Sequence, residues 1–419
     1  MLGIRFHCYW QPVPAGGQCA PRRVIAQTAP GSDGVGMSTI LLTGATGNVT
    51  SAVIRSLQGS GHRLIGLVRD PAKAKDLAAQ GVELRTGDLL LLRTVEGAFE
   101  GVDVAWLLTP PGPSAPIQAS NALWAARLGG VKHVVRMSAV GAAHDAPNLN
   151  SRLHALSDAE IAGCGLSFTV VKPHFFMQNL LMAAQSVAEQ GTIYFALGDA
   201  KLPMVDVRDI GASVAAILAN PAPHAGKTYT LTGPTAVGID QVASALGEAL
   251  GKPVKYVPVP VAAMVESLTK MGLDDYNQVA LRDYFTAYSR GWESRVTSAV
   301  KDLTGIEARG IAEFARDHAA AFGKRLAHQT GARRRRFRGR RRALPPRSSP
   351  RRPRCCSAFA DKERFTALLH HVTIDLLTDA YSWLKREAAP GVDGRTSHLL
   401  DPGLDRSIAE LGECRLEWS

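Results

Sequence analysis

ILLTGATGNVT, Ile40 to Thr50, is the stretch that decides the fold. Its first residues are short, apolar and partly β-branched, which reads as a strand. Gly44 and Gly47 then allow a sharp turn, and Asn48 opens a helical stretch to about Gln58. A strand entering a helix through a glycine turn is the context in which such glycines bind a dinucleotide. The glycines let the backbone approach a pyrophosphate, and the helix start offers free N–H groups and the positive end of its dipole. A purely structural turn is the alternative reading. Thr50 stands where a third glycine would ease helix–strand packing. Its extra atoms would cost about 1–3 kcal/mol if that gap is tight.

Working outward, the same alternation repeats. RLIGLVR precedes the helical DPAKAKDLAAQG, and VELRTGD leads to a short helix. DVAWLLT precedes a helix over 115–128, VKHVVRMS one over 151–163, and SFTVVKP closes the series. Short apolar strands separated by amphipathic helices predict an α/β fold, a doubly wound parallel sheet with helices on both faces. Further helices and short strands follow over 226–323, with KTYTLTGP and VKYVPVP the clearest strands.

The end of the second strand reports on the ribose. An acid there binds the 2′-hydroxyl of NAD, and an arginine suits the 2′-phosphate of NADP. The chain reads LVRDP. Asp70 before Pro71 has the pattern of a helix N-cap with proline in first position, which leaves Arg69 for the phosphate. NADP(H) is therefore expected ahead of NAD(H). Asp88, closing the third strand in RTGDL, is either an adenine-side contact or a turn residue.

The charge is local. The 419 residues carry +11, but RRRRFRGRRRALPPRSSPRRPR, residues 333–354, holds twelve arginines and no acid, so the remainder carries −1. The segment 326–358 has too few apolar residues to pack and reads as a disordered linker. Its arginines would attract RNA, DNA or anionic lipid by counterion release, although only Phe337 is present among them for base stacking. Cys8, Cys19, Cys164, Cys355, Cys356 and Cys414 form no C-x-x-C pair and lie at no zinc spacing. That argues against a disulfide framework or metal site and for a reducing compartment, the cytoplasm. No apolar run reaches the length of a membrane span. Residues 1–36 lack the continuous apolar core of a secretory signal. They read as an unstructured extension or a start codon placed too early, with organelle targeting the remaining alternative.

TGATGNVTSAVIRSL, GHRLIGLVRDPAKA, GVELRTGDL, GVDVAWLLTPP, VKHVVRMSAVGA, VVKPHFFMQNLL and LPMVDVRDIG follow one another in the order and spacing of the NmrA-like atypical short-chain dehydrogenases/reductases, which the chain resembles over about 38–323. YTLTGP, LGKPVKYVPVP and RVTSAVKDLTG extend the match into that family's C-terminal half. The resemblance implies a Rossmann-type domain over 37–325 with a small substrate-binding portion. It implies NADP(H) held by Gly44, Ala45, Thr46, Gly47, Asn48 and Val49, with Arg69, Asp88, Thr109 and Pro173 completing the site. It also implies either reduction of quinones or dyes, or a redox-sensing regulatory role.

Short-chain reductases use a tyrosine acid and a lysine four residues later. Here the helix after Ser138 offers His154 and Asp158 instead. His154 could donate a proton near neutral pH, or be a surface residue; Asp158 cannot supply the lysine's charge. Ser138 could bond a substrate carbonyl or the nicotinamide, or simply end its strand. A weak acid–base apparatus suits a quinone- or azo-like acceptor, where positioning supplies much of the catalysis. Phe175 and Phe176, with Met177, would meet a flat small aromatic substrate, or would pack in the core.

RFTALLHHVTIDLLTDAYSWLKREAAPGVDGRT, within 359–419, resembles the N-terminal entry of group II intron reverse transcriptases over about 361–397. The chain ends without the paired metal-binding carboxylates a polymerase needs, so it is expected to lack that activity. The sequence thus predicts an NADP(H)-dependent oxidoreductase. A non-catalytic NADP(H) sensor and a nucleic-acid-binding fusion acting through the tail are the alternatives. Oligomeric state is not legible.

Overall fold

The computed structural model describes residues 37–270 and 272–323. All belong to the first of the two compact units into which the chain divides, the boundary falling after Thr330. The expectations for 1–36, 326–358 and 359–419 lie outside the described residues.

Strand β1 (Thr39–Leu42) runs into helix α1 (Asn48–Leu57), as the glycine turn predicts. There follow β2 (Arg63–Val68), α2 (Lys75–Ala79), β3 (Glu83–Thr86), β4 (Val104–Leu107), α3 (Ala115–Leu128), β5 (His133–Met137), α4 (Leu149–Gly163) and β6 (Ser167–Pro173). DPAKAKDLAAQG, expected as one helix, is a 3-10 turn over Pro71–Lys73 and the short α2. Asp70 does cap the turn, accepting from Ala72 N–H at 3.0 Å. Chain reversal at Gly81, φ +80°, then stops α2 early. Helix α4 starts at Leu149 because Asn148 accepts from Ser151 N–H and caps it.

The second half contributes α5 (Ala184–Gln190), β7 (Thr192–Phe195), α6 (Val207–Ala219), β8 (Thr228–Leu231), α7 (Ile239–Leu250), β9 (Lys255–Pro258), α8 (Val261–Lys270), α9 (Asp275–Tyr288), α10 (Ala299–Thr304) and α11 (Ile311–Gly323). Seven strands form a parallel sheet in the order β3-β2-β1-β4-β5-β6-β8, and β7 pairs with β9 apart from it. The doubly wound expectation holds. Strand order reverses between β1 and β4, so the crevice at their C-terminal ends is the ligand position of such a sheet.

Alternation along the strands divides the core. Ile40 and Leu42 join Trp106, Ile210 and Val214 on one face, while Leu41 joins Ala105, Leu123 and Ile161 on the other. A third core, with Phe195, Phe285, Phe314 and Phe322 fully buried, builds the smaller C-terminal portion. It carries the loop that closes over the ends of β5 and β6.

Candidate active site

The β1–α1 turn is shaped by its glycines. Gly44 has φ +59°, and a Cβ there would stand 2.8 Å from Leu108 Cδ2. A Cβ at Gly47 would stand 3.1 Å from the Gly44 carbonyl, which Gly47 N–H bonds at 2.8 Å. Gly47 is also the N-cap of α1 and supplies no capping side chain, and the first turn contains no acid. The helix therefore presents its N-terminal N–H groups and positive dipole end uncompensated, beside a backbone stripped of side chains. This suits an anionic phosphate. Thr46 and Gly47 are exposed, and Asn48 is partly so. Ala45 and Val49, expected among the cofactor contacts, point into the core at 1% and 7% exposure, so only their backbone can serve a ligand.

The expectation that Thr50 crowds a glycine site is corrected. Thr50 is fully buried, and its hydroxyl donates to the Thr43 carbonyl at 3.0 Å and accepts from Trp106 Nε1–H at 3.0 Å. The threonine ties α1 to β1 and β4. Close approach is achieved elsewhere: a Cβ on Gly211 of α6 would stand 2.6 Å from the Ala52 backbone of α1.

Arg69 is exposed at the end of β2 with no hydrogen bond or ion pair among the described residues. Its neighbour Asp70 is occupied by its cap and by Lys73 at 3.5 Å. Asp88 Oδ1 accepts from Leu90 N–H at 3.0 Å, which is the turn role. Thr109 follows β4 and is partly exposed.

The catalytic candidates lie differently from expectation. On β5, Val134, Arg136 and Ser138 share one face by alternation, as do Val170 and Lys172 on β6, and α4 brings Asp158 down on them. Ser138 is 2% exposed, and its hydroxyl donates to Asp158 Oδ2 at 2.8 Å. Asp158 also pairs with Arg136, and with Lys172 Nζ at 3.1 Å. His154 Nδ1 accepts weakly from Arg136 at 3.4 Å. Burial, then the charges of Arg136 and Lys172, push its imidazole down to about 3. His154 is thus neutral near pH 7, which weighs against an imidazolium donor there. Ser138 is likewise committed to Asp158 as a donor.

Lys172 and Arg136 were not singled out from sequence. Their signal was a charged residue near the C-terminal end of two adjacent apolar strands, VVRM and VVKP. Lys172 Nζ donates to the Ala142 carbonyl at 3.1 Å and borders a cleft of about 410 Å³. Gly141, Ala142, Trp292, Glu293 and Arg295 also line it. Trp292 packs so tightly on Gly141 that a Cβ there would fall 2.2 Å from its ring. Glu293, with φ +57°, has the only positive φ among described non-glycine residues. Its carbonyl accepts from His174 Nε2 at 2.7 Å, while His174 Nδ1 accepts from Phe175 N–H. Such a strained residue is held by its surroundings.

Pro173 is buried, and its carbonyl receives Val140 N–H. Phe175 meets Phe195 and Tyr288 edge-on, and Phe176 packs partly buried on the sheet core. Both remain partly exposed, and the contacts they make are packing contacts. A second cleft of about 420 Å³, beside α7, contains none of these residues. Among the described residues no group of three or more His, Cys, Asp or Glu could hold a metal. No described helix is long and apolar enough to cross a membrane.

The NmrA-like family profile matches residues 36–315. The NAD(P)H azoreductase of Xenophilus azovorans is 38% identical over 284 residues, covering 68% of this chain and 99% of that protein. The NADPH complex of an Escherichia coli NADPH-dependent quinone oxidoreductase superposes with TM-score 0.61 at 28% identity, over 67% of this chain and 99% of that one. A Citrobacter triphenylmethane reductase complexed with NADP(H) gives TM-score 0.61 at 25% identity, again over 67% and 99%. The seven-stranded sheet, the glycine turn at its crossover and these matches place the chain in the NmrA-like family.

Proposed function

We propose that the protein is an NADP(H)-dependent oxidoreductase delivering a hydride to a quinone- or azo-like acceptor. The observation that carries this reading is the β1–α1 cradle. An uncapped helix start and side-chain-free glycines stand at the sheet crossover, with Arg69 free beside them. The cradle fits a pyrophosphate through the backbone of Gly44 to Val49, and Arg69 fits the 2′-phosphate. When bound there, the nicotinamide supplies the hydride. The residues of this chain hold it, exclude water and meet the acceptor in the cleft beside Lys172. The names of the azoreductase, quinone reductase and dye reductase relatives support a flat, delocalised acceptor. The test is NADPH oxidation by the full chain against a panel of quinones and azo dyes. Turnover with several members is expected, and none with any of them overturns the reading.

A second reading, a sensor that binds NADP(H) without turnover, is favoured by one observation: Ser138 and His154 are tied up inside the Arg136–Asp158 network. The same assay decides it. We further propose that residues 359–419 are a reverse-transcriptase-like fragment without polymerase activity and that 333–354 contact nucleic acid non-specifically. Affinity of the full chain for random RNA should fall steeply with salt.

A further inference from the structure

The Asp158 cluster gathers two cations on one carboxylate. Arg136 and Lys172 both pair with the single Asp158 carboxylate, Ser138 donates to it as well, and His154 is neutral. Glu160 acts on Arg136 as well, whereas Lys172 has its own contacts with Asp158 and Ala142. Arg136 is sealed, with its side chain 2% exposed, whereas Lys172 is 20% exposed and borders the cleft. Lys172 is therefore the cation of the cluster that faces the cleft. Asp145, Glu293 and Arg295 are the other charged groups along its walls. The Lys172 ammonium has three N–H donors, and the structure occupies two, on Asp158 and the Ala142 carbonyl. The third is available to a ligand.

We propose that Lys172 is the catalytic residue of this cleft, the group that meets the negative charge arriving on the acceptor. The proposal rests on the reading of the protein as a nicotinamide-dependent reductase of quinone-like acceptors. Reduction of a quinone to a hydroquinone needs two electrons and two protons. Two electrons and one proton arrive together as the hydride from the reduced nicotinamide. The hydride bonds to one quinone oxygen, the ring π electrons rearrange into an aromatic ring, and the electron pair of the other carbonyl becomes an oxyanion. Lys172 donates its third N–H to that oxygen and passes the second proton, and solvent in the cleft returns a proton to the amine. The cation sits on β6 instead of four residues beyond a helix tyrosine, and Asp158, at the usual lysine position, holds it in place.

The test uses the full chain, Lys172→Met and Lys172→Arg, with 4-nitrophenol as an oxyanion probe and without any turnover. In the unmutated chain the bound phenol should ionise more readily than in water, by about tenfold in its ionised-to-neutral ratio, which is one pKa unit. Lys172→Met should abolish the shift, and Lys172→Arg should retain most of it. NADPH affinity and the circular dichroism spectrum should be unchanged in both, which excludes misfolding. With NADPH and a quinone, Lys172→Met should lower kcat by about a hundredfold, the ordinary range for losing a general acid, with a smaller change in KM. A probe that does not bind the unmutated chain, or that ionises equally in the chain and in Lys172→Met, overturns the proposal. If the probe shift is present and depends on Lys172 but no quinone is reduced, the oxyanion site stands and the reductase reading falls.

Discussion

Thr50 shows how a single hydroxyl fixes the geometry of the turn. It links α1 to the Thr43 carbonyl and to the Trp106 indole, all away from solvent. Thr50→Val keeps the shape and removes both bonds, leaving the indole N–H buried without a partner. That should cost about 1–3 kcal/mol in urea unfolding. Thr50→Ser should lose less, and Thr50→Gly should lose more through helix propensity, about 1 kcal/mol further. Equal stability of Thr50→Val and the unmutated chain would show that the hydroxyl bonds contribute nothing. Arg69 is the opposite kind of residue, with no partner of its own among the described residues. Arg69→Ala should lower NADPH affinity by about tenfold or more and leave NADH affinity nearly unchanged, as expected of a charge-assisted phosphate contact. Titration calorimetry with both cofactors checks it, and equal affinities in the unmutated chain would remove the basis for it.

Among the elements, the α1–α6 pair controls where the α1 N-terminus sits. Gly211 lies against the Ala52 backbone, so Gly211→Ala must push the two helices apart. Overpacking of this kind costs about 1–3 kcal/mol. The melting temperature should fall and NADPH affinity should weaken with it, because the displaced element carries the proposed phosphate-binding end. Weakened stability with full affinity would show that α6 does not hold that end in place. Sequence could reveal β1, α1 and the glycine turn because each is written in consecutive residues. It could reveal the Asp70–Pro71 cap for the same reason. It placed the close-packing glycine at Thr50 because a strand-to-helix motif says nothing about the partner helix, and Gly211 lies far along the chain. The Asp158–Lys172–Arg136 contacts were hidden likewise, since sheet register and the descent of α4 bring them together. His154, read alone, looks like a titrating histidine; Arg136 and Lys172 beside it make it a neutral one.

At the scale of the whole molecule, its buried imidazoles set the response to acid. Burial pushes His133 and His174 down to about 4, and both are nearly inaccessible, at 3% and 2% exposure. In His174 the Phe175 N–H already points at Nδ1, so a second proton there has no acceptor. His154 is lower still, at about 3. In the unfolded chain these groups titrate near 6.5. Between that value and about 4 the unfolded state binds protons that the folded state refuses. The contribution to stability is therefore full above pH 6.5 and is lost as pH falls through the window. Asp209 runs the other way. Burial, set against the Arg309 guanidinium, pushes its carboxyl up to about 6, so it contributes stability below that value and loses it as pH rises. One carboxyl opposes several imidazoles, and the sum should make the fold acid-labile. Each fully buried imidazole should contribute a loss of about 1–2 kcal/mol between about pH 7.5 and about pH 5. Urea unfolding midpoints at the two pH values measure it. His133→Gln should flatten the dependence, because an amide cannot take up the proton. Stability that is equal or higher at the lower pH would mean that the imidazoles are already charged in the folded protein.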